Sequence, residues 1–303
     1  VAVATGWTLS DRSTLRVDGR VSSDDRGYPG PFGSNPIGAF AGIDRVSRGR
    51  NHNGLGSIAF THAWGPQSTL RVQATYADMR ANFTSAWGDS SSGTRRLTTH
   101  AQVDHAFSSQ VATSVGVDLT GERGDSTYVV GTTGQMVPVR RQVAGYFAEA
   151  RFRAASRLFV TTGVRVEDIV RRALEPDPLA YTPRPALPED RVLSVNPRIA
   201  ASYYLRTSGD SGGNWTRLHA TAGTGIRPPD ALEIAFTDNP GLRPEHNRSA
   251  DAGLEQSLLG GLLVVDATLF VNRYEDLIVA TGRSLQDYSR FRTDNISNAR
   301  ARG

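Results

Sequence analysis

Strand-length stretches of alternating apolar and polar residues recur along almost the whole of this sequence, and the connections between them are short and long in strict alternation. Leu15, Val17, Gly19 and Val21 share one face of a strand, with Arg16, Asp18 and Arg20 on the other. Val111, Thr113, Val115, Val117 and Leu119 oppose Ala112, Ser114, Gly116 and Asp118 in the same way. Leu158, Val160, Val164 and Val166 oppose Thr161, Gly163, Arg165 and Glu167, and Val195, Ile199, Tyr203 and Leu205 oppose Ser194, Asn196, Arg198 and Ser202. A period of two marks a strand with two unlike faces. Segments at 53–64, 69–82, 95–107, 142–153, 215–224, 247–258 and 262–279 follow the same rule, giving about thirteen strands, with helical spacing nearly absent. Several are close to the roughly 9–11 residues that a tilted membrane-spanning strand needs.

The connections restrict the fold further. Tight turns fall at 10–12, 65–68, 108–110, 154–156 and 260–261, with a longer member of the series at 206–214. Long polar links fall between them at 25–51, 84–94, 123–140, 171–190, 225–247 and 280–289. A soluble sandwich or propeller has no reason to gather its long loops at one end of every hairpin. A transmembrane β-barrel does, with short turns on the periplasmic rim and long loops outside. The expectation is an all-β, antiparallel transmembrane barrel. Trp64, Phe107, Phe152, Phe159, Tyr203 and Tyr204 lie near the short turns, where an interfacial aromatic girdle would be.

Only 38% of the 303 residues are hydrophobic, and no stretch approaches the roughly 20 consecutive apolar residues of a spanning helix. A barrel escapes that requirement because only every second residue meets lipid. Arg16, Asp18, Arg20, Arg165, Glu167, Arg198, Asp251 and Glu255 all fall on the polar face. A narrow lumen would bury them at a cost of several kcal/mol each unless paired; a wide lumen holding water or a polar plug avoids that cost. All 34 basic residues are Arg, and they are scattered among 30 acidic ones, so no basic stripe for nucleic acid is present. The absence of Cys excludes a disulfide framework and a thiolate metal site.

At 223–279 the sequence resembles the barrel of TonB-dependent receptors. The family's Gly, aromatic, basic, Pro pattern with a following Glu–apolar pair stands here as Gly225, Ile226, Arg227, Pro228, Pro229 and Glu233-Ile234, with Ile226 in place of the aromatic. Asn239, Pro240, Leu242, Pro244 and Glu245 match Asn-Pro-x-Leu-x-Pro-Glu; Gly253 and Glu255 match Gly-x-Glu; Phe270, Asn272 and Asp276 match Phe-x-Asn-x-x-x-Asp. The Pro-Gly-Pro-Phe loop within 27–51 is like one in cobalamin- and siderophore-receptor relatives. The resemblance implies a partial barrel over 1–303, about 13 strands of an expected 22, with an N-terminal plug and C-terminal strands absent. It also implies an outer-membrane location and active uptake of a scarce large solute, such as a ferric siderophore, cobalamin or an oligosaccharide. The implied partners are the inner-membrane TonB complex, acting through the plug, and outer-membrane lipid and lipopolysaccharide. No cofactor is implied.

The motif residues themselves read as structural. Pro228 and Pro229 have no N–H for a ladder and should end strand pairing at the rim. Asn239 suits a turn start, and Glu245 could accept backbone N–H groups or pair with Arg243 or Arg227. No catalytic or metal constellation emerges. His100 and His105 fall on opposite faces, and no Ser-His-Asp spacing, phosphate loop or zinc helix is present. Asp24 with Asp25, or Asp287 with Asp294, could bind calcium, although a solvated loop is the commoner state of such residues. Arg123-Gly124-Asp125 spells an adhesion tripeptide that a loop of this composition produces by chance. The competing readings are a passive porin-like barrel, which should lack the proline motifs, and a secreted soluble β protein, whose apolar faces should be covered by a second sheet.

Overall fold

The computed structural model describes residues 1–28, 44–86, 88–180, 183–207, 213–281, 292–296 and 298–303. Its elements are β1 (Ala2–Ser10), β2 (Ser13–Gly27), β3 (Arg48–Ala63), β4 (Ser68–Ser85), β5 (Gly88–Ala106), β6 (Val111–Ser126), β7 (Val139–Ala154), β8 (Leu158–Arg171), β9 (Asp190–Arg206), β10 (Trp215–Arg227), α1 (Ala231–Ala235), β11 (Glu245–Leu258), β12 (Leu263–Glu275), β13 (Ile278–Thr281), β14 (Arg292–Asn295) and β15 (Asn298–Arg302). Thirteen strands form one antiparallel sheet in chain order from β1 to β12, followed by β15, with β1 and β15 as its open edges. β13 and β14 pair separately.

Register carries the two-faced pattern across the sheet. Trp7, Leu15, Phe60, Val72, Ala101, Val117, Tyr146, Val166 and Val195 are successive cross-strand partners from β1 to β9. One residue along lies the row Gly6, Arg16, Ala59, Gln73, His100, Asp118, Gly145, Glu167 and Ser194. Partners directly opposite share a face, so one side of the wall is apolar and the other polar. The apolar side is bare: Val115, Leu119, Tyr146 and Ile199 are each about half exposed. Exposed apolar surface on this scale needs a non-aqueous neighbour, and the thirteen paired strands form one sheet, the other sheet among the described residues being the short β13–β14 pair. The outer band on β6 runs from Val111 to Gly121. At about 3.3 Å per residue and the tilt usual for such barrels it stands about 25 Å tall, the height of a lipid-facing band.

Polar side chains on the inner face are paired. Asp118 accepts from His100 Nδ1 (2.6 Å) and Arg165 Nη1 (2.5 Å), while Arg165 Nε donates to Glu167 (2.9 Å). Arg165 crosses β7 to reach Asp118 through space that only a glycine leaves open, because its guanidinium occupies the position of a Cβ on Gly145. Asp104 accepts from Ser114 Oγ (2.6 Å) and pairs with Arg71. Arg217 pairs with Glu255.

Several expectations change. The link expected at 84–94 is mostly ladder: β4 and β5 stay paired up to Ser85 and Gly88, and Gly88 turns the chain at a φ of 124°. Beyond the membrane both faces meet water, so alternation disappears while backbone pairing continues. The segment 262–279 is not one strand. It breaks after Glu275 where Asp276 adopts a left-handed φ of 57°, and β13 leaves the sheet to pair with β14. The link 225–247 contains a helix. Phe159 and Tyr204 do not belong to a lipid-side girdle. Both take the inner-face register and pack edge-on in a chain with Trp215, at 5.9 and 6.1 Å between ring centroids. Trp64, Phe107, Phe152 and Tyr203 remain exposed near the short turns. Most of the Pro-Gly-Pro-Phe loop, most of 280–289, the middle of 206–214, and Asp287 lie outside the described residues.

Candidate functional site

Within the described residues the buried apolar cluster lies at the long-link rim, away from the wall. Val129 comes from the β6–β7 link, Val139 from the start of β7, Leu174 and Leu187 from the β8–β9 link, and Ile234 and Ala235 from α1. The β8–β9 link is itself folded back, with Leu174 opposite Leu187 and Asp177 opposite Arg184 in isolated bridges. Arg184 is almost fully buried there and donates through Nη2 to the carbonyls of Val130 (2.7 Å) and Glu175 (2.8 Å). Burial pushes its guanidinium pKa down against the opposing pull of Asp177.

α1 is short, and its start is held by a reciprocal pair of bonds. The Glu233 N–H donates to Asp230 Oδ1, and the Asp230 N–H donates to Glu233 Oε2, both at 2.8 Å. This capping box satisfies two backbone donors that a helix N-terminus leaves open. Asp230-x-x-Glu233 is visible in the sequence and was the available signal for the helix.

The resemblance-derived residues divide into two groups. Arg227, the last residue of β10, donates through Nη2 to Glu233 Oε1 (2.8 Å) and Glu245 Oε1 (2.6 Å). Glu245 also accepts the Ile278 N–H at 2.8 Å, so one cation joins the end of β10, α1, the start of β11 and β13. Pro228 and Pro229 follow the last laddered residue directly, and the Pro229 carbonyl accepts from Arg141 Nη1 of β7 (3.1 Å). Asn239 Oδ1 accepts the Gly241 N–H (2.8 Å), its Nδ2 donates to Asp294 (3.0 Å), and its carbonyl accepts the Leu242 N–H (3.2 Å). Pro240 lies in that turn. Leu242 is half-buried, and Pro244 is buried just before β11. Arg243 pairs with Asp276 (2.6 Å), not with Glu245. Gly225, Gly253 and Glu255 belong to the second group, on the inner wall. Asn247 Oδ1 lies 2.5 Å from the place of a Cβ on Gly225, and Thr268, Ala267 and His219 crowd Gly253.

The β10–β11 link overhangs the inner wall and leaves a half-open cavity of about 160 Å³ between Arg96, Glu122, Arg141 and Arg171 of the wall and Asp230 and Ile234 of the link. Glu122 pairs with both Arg96 and Arg141. Three guanidinium groups stand here against two carboxylates, leaving a small excess of positive charge on the wall. None of these wall residues could be selected from the sequence, because only cross-strand register makes them neighbours. Among the described residues no three of His, Cys, Asp and Glu form a metal-sized group. Asp24 and Asp25 are instead paired with Arg26 (2.7 Å), and with Arg48 (3.0 Å) and Arg50 (2.9 Å). Arg123 and Asp125 of the adhesion-like tripeptide pair with each other at 3.2 Å.

Arg227→Ala leaves two largely buried carboxylates without their cation. Discounted for the partial exposure of Arg227, the cost is about 1–3 kcal/mol. Amides of 228–244 and of Ile278 are expected to exchange hydrogen roughly 10- to 100-fold faster, with those of β4–β8 unchanged. Equal exchange in the two proteins would show that Arg227 is not a clamp.

Residues 5–303 match the family described as TonB dependent receptor-like, beta-barrel. No curated protein matches the chain by sequence. Among solved structures, a double mutant of the Serratia marcescens hemophore receptor HasR, in complex with its hemophore HasA and heme, superposes with a TM-score of 0.73 at 15% identity. The comparison covers 100% of this chain and 50% of that one. The alcaligin outer-membrane receptor FauA of Bordetella pertussis gives 0.69 at 17% identity, covering 100% of this chain and 48% of that one. The copper transporter OprC gives 0.74 at 17%, with 100% and 47% covered. The chain therefore spans about half the length of the receptors it resembles. With an open sheet, a bare apolar outer face and long links packed at one rim, the chain belongs to the TonB-dependent receptors, a family of outer-membrane receptors and not of enzymes, as part of their β-barrel.

Proposed function

We propose that the receptor carrying this chain takes up a scarce, large solute across the outer membrane, powered by the inner-membrane TonB complex. The observation that carries this reading is the packed rim, where links from β6–β7, β8–β9 and β10–β11 fold together over a polar inner wall. In a passive pore such links would narrow the path without recognising anything. A capture surface needs them held in place. In this reading a plug and further strands between β15 and β1 complete the receptor, and the plug meets the inner-face ion pairs. The arginines at the rim support an anionic solute, such as a ferric siderophore, over a neutral oligosaccharide, with the cavity of about 160 Å³ taking one charged group of it and not the whole chelate.

The test is uptake of radiolabelled ferric siderophores by cells producing the full-length receptor, with and without a functional TonB complex. Accumulation is expected only with the complex and is expected to stop on adding a protonophore. Uptake that continues without energy would identify a passive barrel.

A further inference from the structure

β4 changes its apolar face partway along its length. Up to Tyr76 its apolar residues, Leu70, Val72, Ala74 and Tyr76, face outward. Beyond Tyr76 the outward positions are Asp78, Arg80 and Asn82, and Ala77, Met79, Ala81 and Phe83 take the inner face. The exchange falls where the outer band ends, since Tyr76 is the partner of Leu97 and Leu97 of Gly121. Water on the outer side accounts for Asp78 and Arg80, which pair at 3.0 Å. It does not account for apolar residues on the lumen side, where the rest of the wall carries paired charges.

These four residues make a strip about 20 Å long, at about 3.3 Å per residue, and one strand wide. Leu55 of β3, the partner of Ala77, widens its lower end. Asn51 and Asn53 border it on β3, and Thr94 and Ser92 border it on β5. Leu55 and Met79 are about half exposed. The top is closed by an aromatic corner: Tyr28 fills the space that a Cβ on Gly49 would need, and meets Phe83 edge-on at 5.5 Å.

The lower end runs into the rim cavity. Arg96 and Thr94, which line that cavity, are the direct cross-strand partners of Ala77 and Met79. A guest whose charged group meets Arg96 therefore has an aliphatic track beside it. With strands about 4.8 Å apart, the track has the width of one extended hydrocarbon chain. A protein partner would need a broader face than a single strand offers.

We infer that the strip from Ala77 to Phe83 binds an acyl chain of the solute, which makes the substrate class an anionic chelate with a fatty-acyl tail. One charged group of the head meets Arg96, and the tail runs up β4 to the Tyr28–Phe83 corner. This rests on the reading of the rim as a capture surface for an anionic chelate.

The test is calorimetric binding to the full-length receptor in lipid nanodiscs. The probes are a ferric citrate-hydroxamate chelate bearing an octanoyl chain and the same chelate without it. The octanoyl form is expected to bind about 10- to 100-fold more tightly. Met79→Asp is expected to bring that preference down to about twofold or less, because a carboxylate in the track must lose water when the chain enters. Ala81→Trp fills the track without adding charge and is expected to have the same effect. It decides the matter if Met79→Asp lacks the heat-modifiable migration of a folded barrel. Equal affinity of wild type for the two forms, or an unchanged preference in the folded variants, would overturn the acyl site alone. Binding of neither form would overturn the anionic-chelate reading and this inference with it. Met79→Cys in the ligand-free receptor is expected to react with a water-soluble maleimide; resistance would mean that another part of the protein covers the strip, and would overturn the assignment.

Discussion

Val117→Arg in the full-length receptor is expected to reduce folding into bilayers sharply. Val117 lies on the outer face of β6, midway between Val111 at the short-turn end and Arg123 at the other. Its partners Ala101 and Tyr146 are part of the apolar row that crosses nine strands. A guanidinium at the midplane of a lipid-facing strand costs about 2–4 kcal/mol, and the cost falls toward the interfaces. Thr at the same place should be tolerated, since Thr113 and Thr162 already share that face. Urea titration in vesicles, followed by heat-modifiable migration, measures the difference. If the outer face met water, as in a soluble sheet, Arg would be as harmless there as Thr, and that result would remove the membrane placement altogether.

The second large effect is expected at the rim. Ile234 is about 3% exposed, and α1 presents it to Val139, Leu174 and Leu187. Ile234→Ala deletes buried carbon atoms from a cluster with little material to collapse into the space, at about 2–4 kcal/mol. Much of what holds the three links together is this cluster, so the damage should spread. Limited proteolysis is expected to cut the 127–138 and 172–189 links as well as 228–244, although the substitution lies only in the last. Strands β4–β8 should stay protected. Cleavage confined to 228–244 would mean that the links are independent loops and would weaken the proposed capture surface. The Arg227→Ala effect is smaller because water reaches that clamp and substitutes in part for the lost cation.

The strands themselves were legible because a two-faced strand announces its faces locally, two residues at a time. Leu15 with Val17, or Val164 with Val166, needs no knowledge of neighbours. The hairpin order was legible for a similar reason, since short turns pair strands that are adjacent in sequence. Reading failed where the physical signal changes. At 84–94 alternation ends because both faces are wet, yet the ladder goes on. At Asp276 a single left-handed residue turns the chain out of the sheet. Asp230 and Glu233 did carry a local helix signal. It is masked by Pro228 and Pro229 beside it, which mark only the end of β10.

The sequence by itself determined a one-layer, two-faced antiparallel wall with its long links on one rim, because periodicity, turn length and proline chemistry are local and survive without partners. Tertiary structure alone decided which charges meet. Arg165 reaches Asp118 across Gly145, and Glu122 comes between Arg96 and Arg141. Each of those depends on register between strands, and a shift of one residue would turn every side chain to the other face.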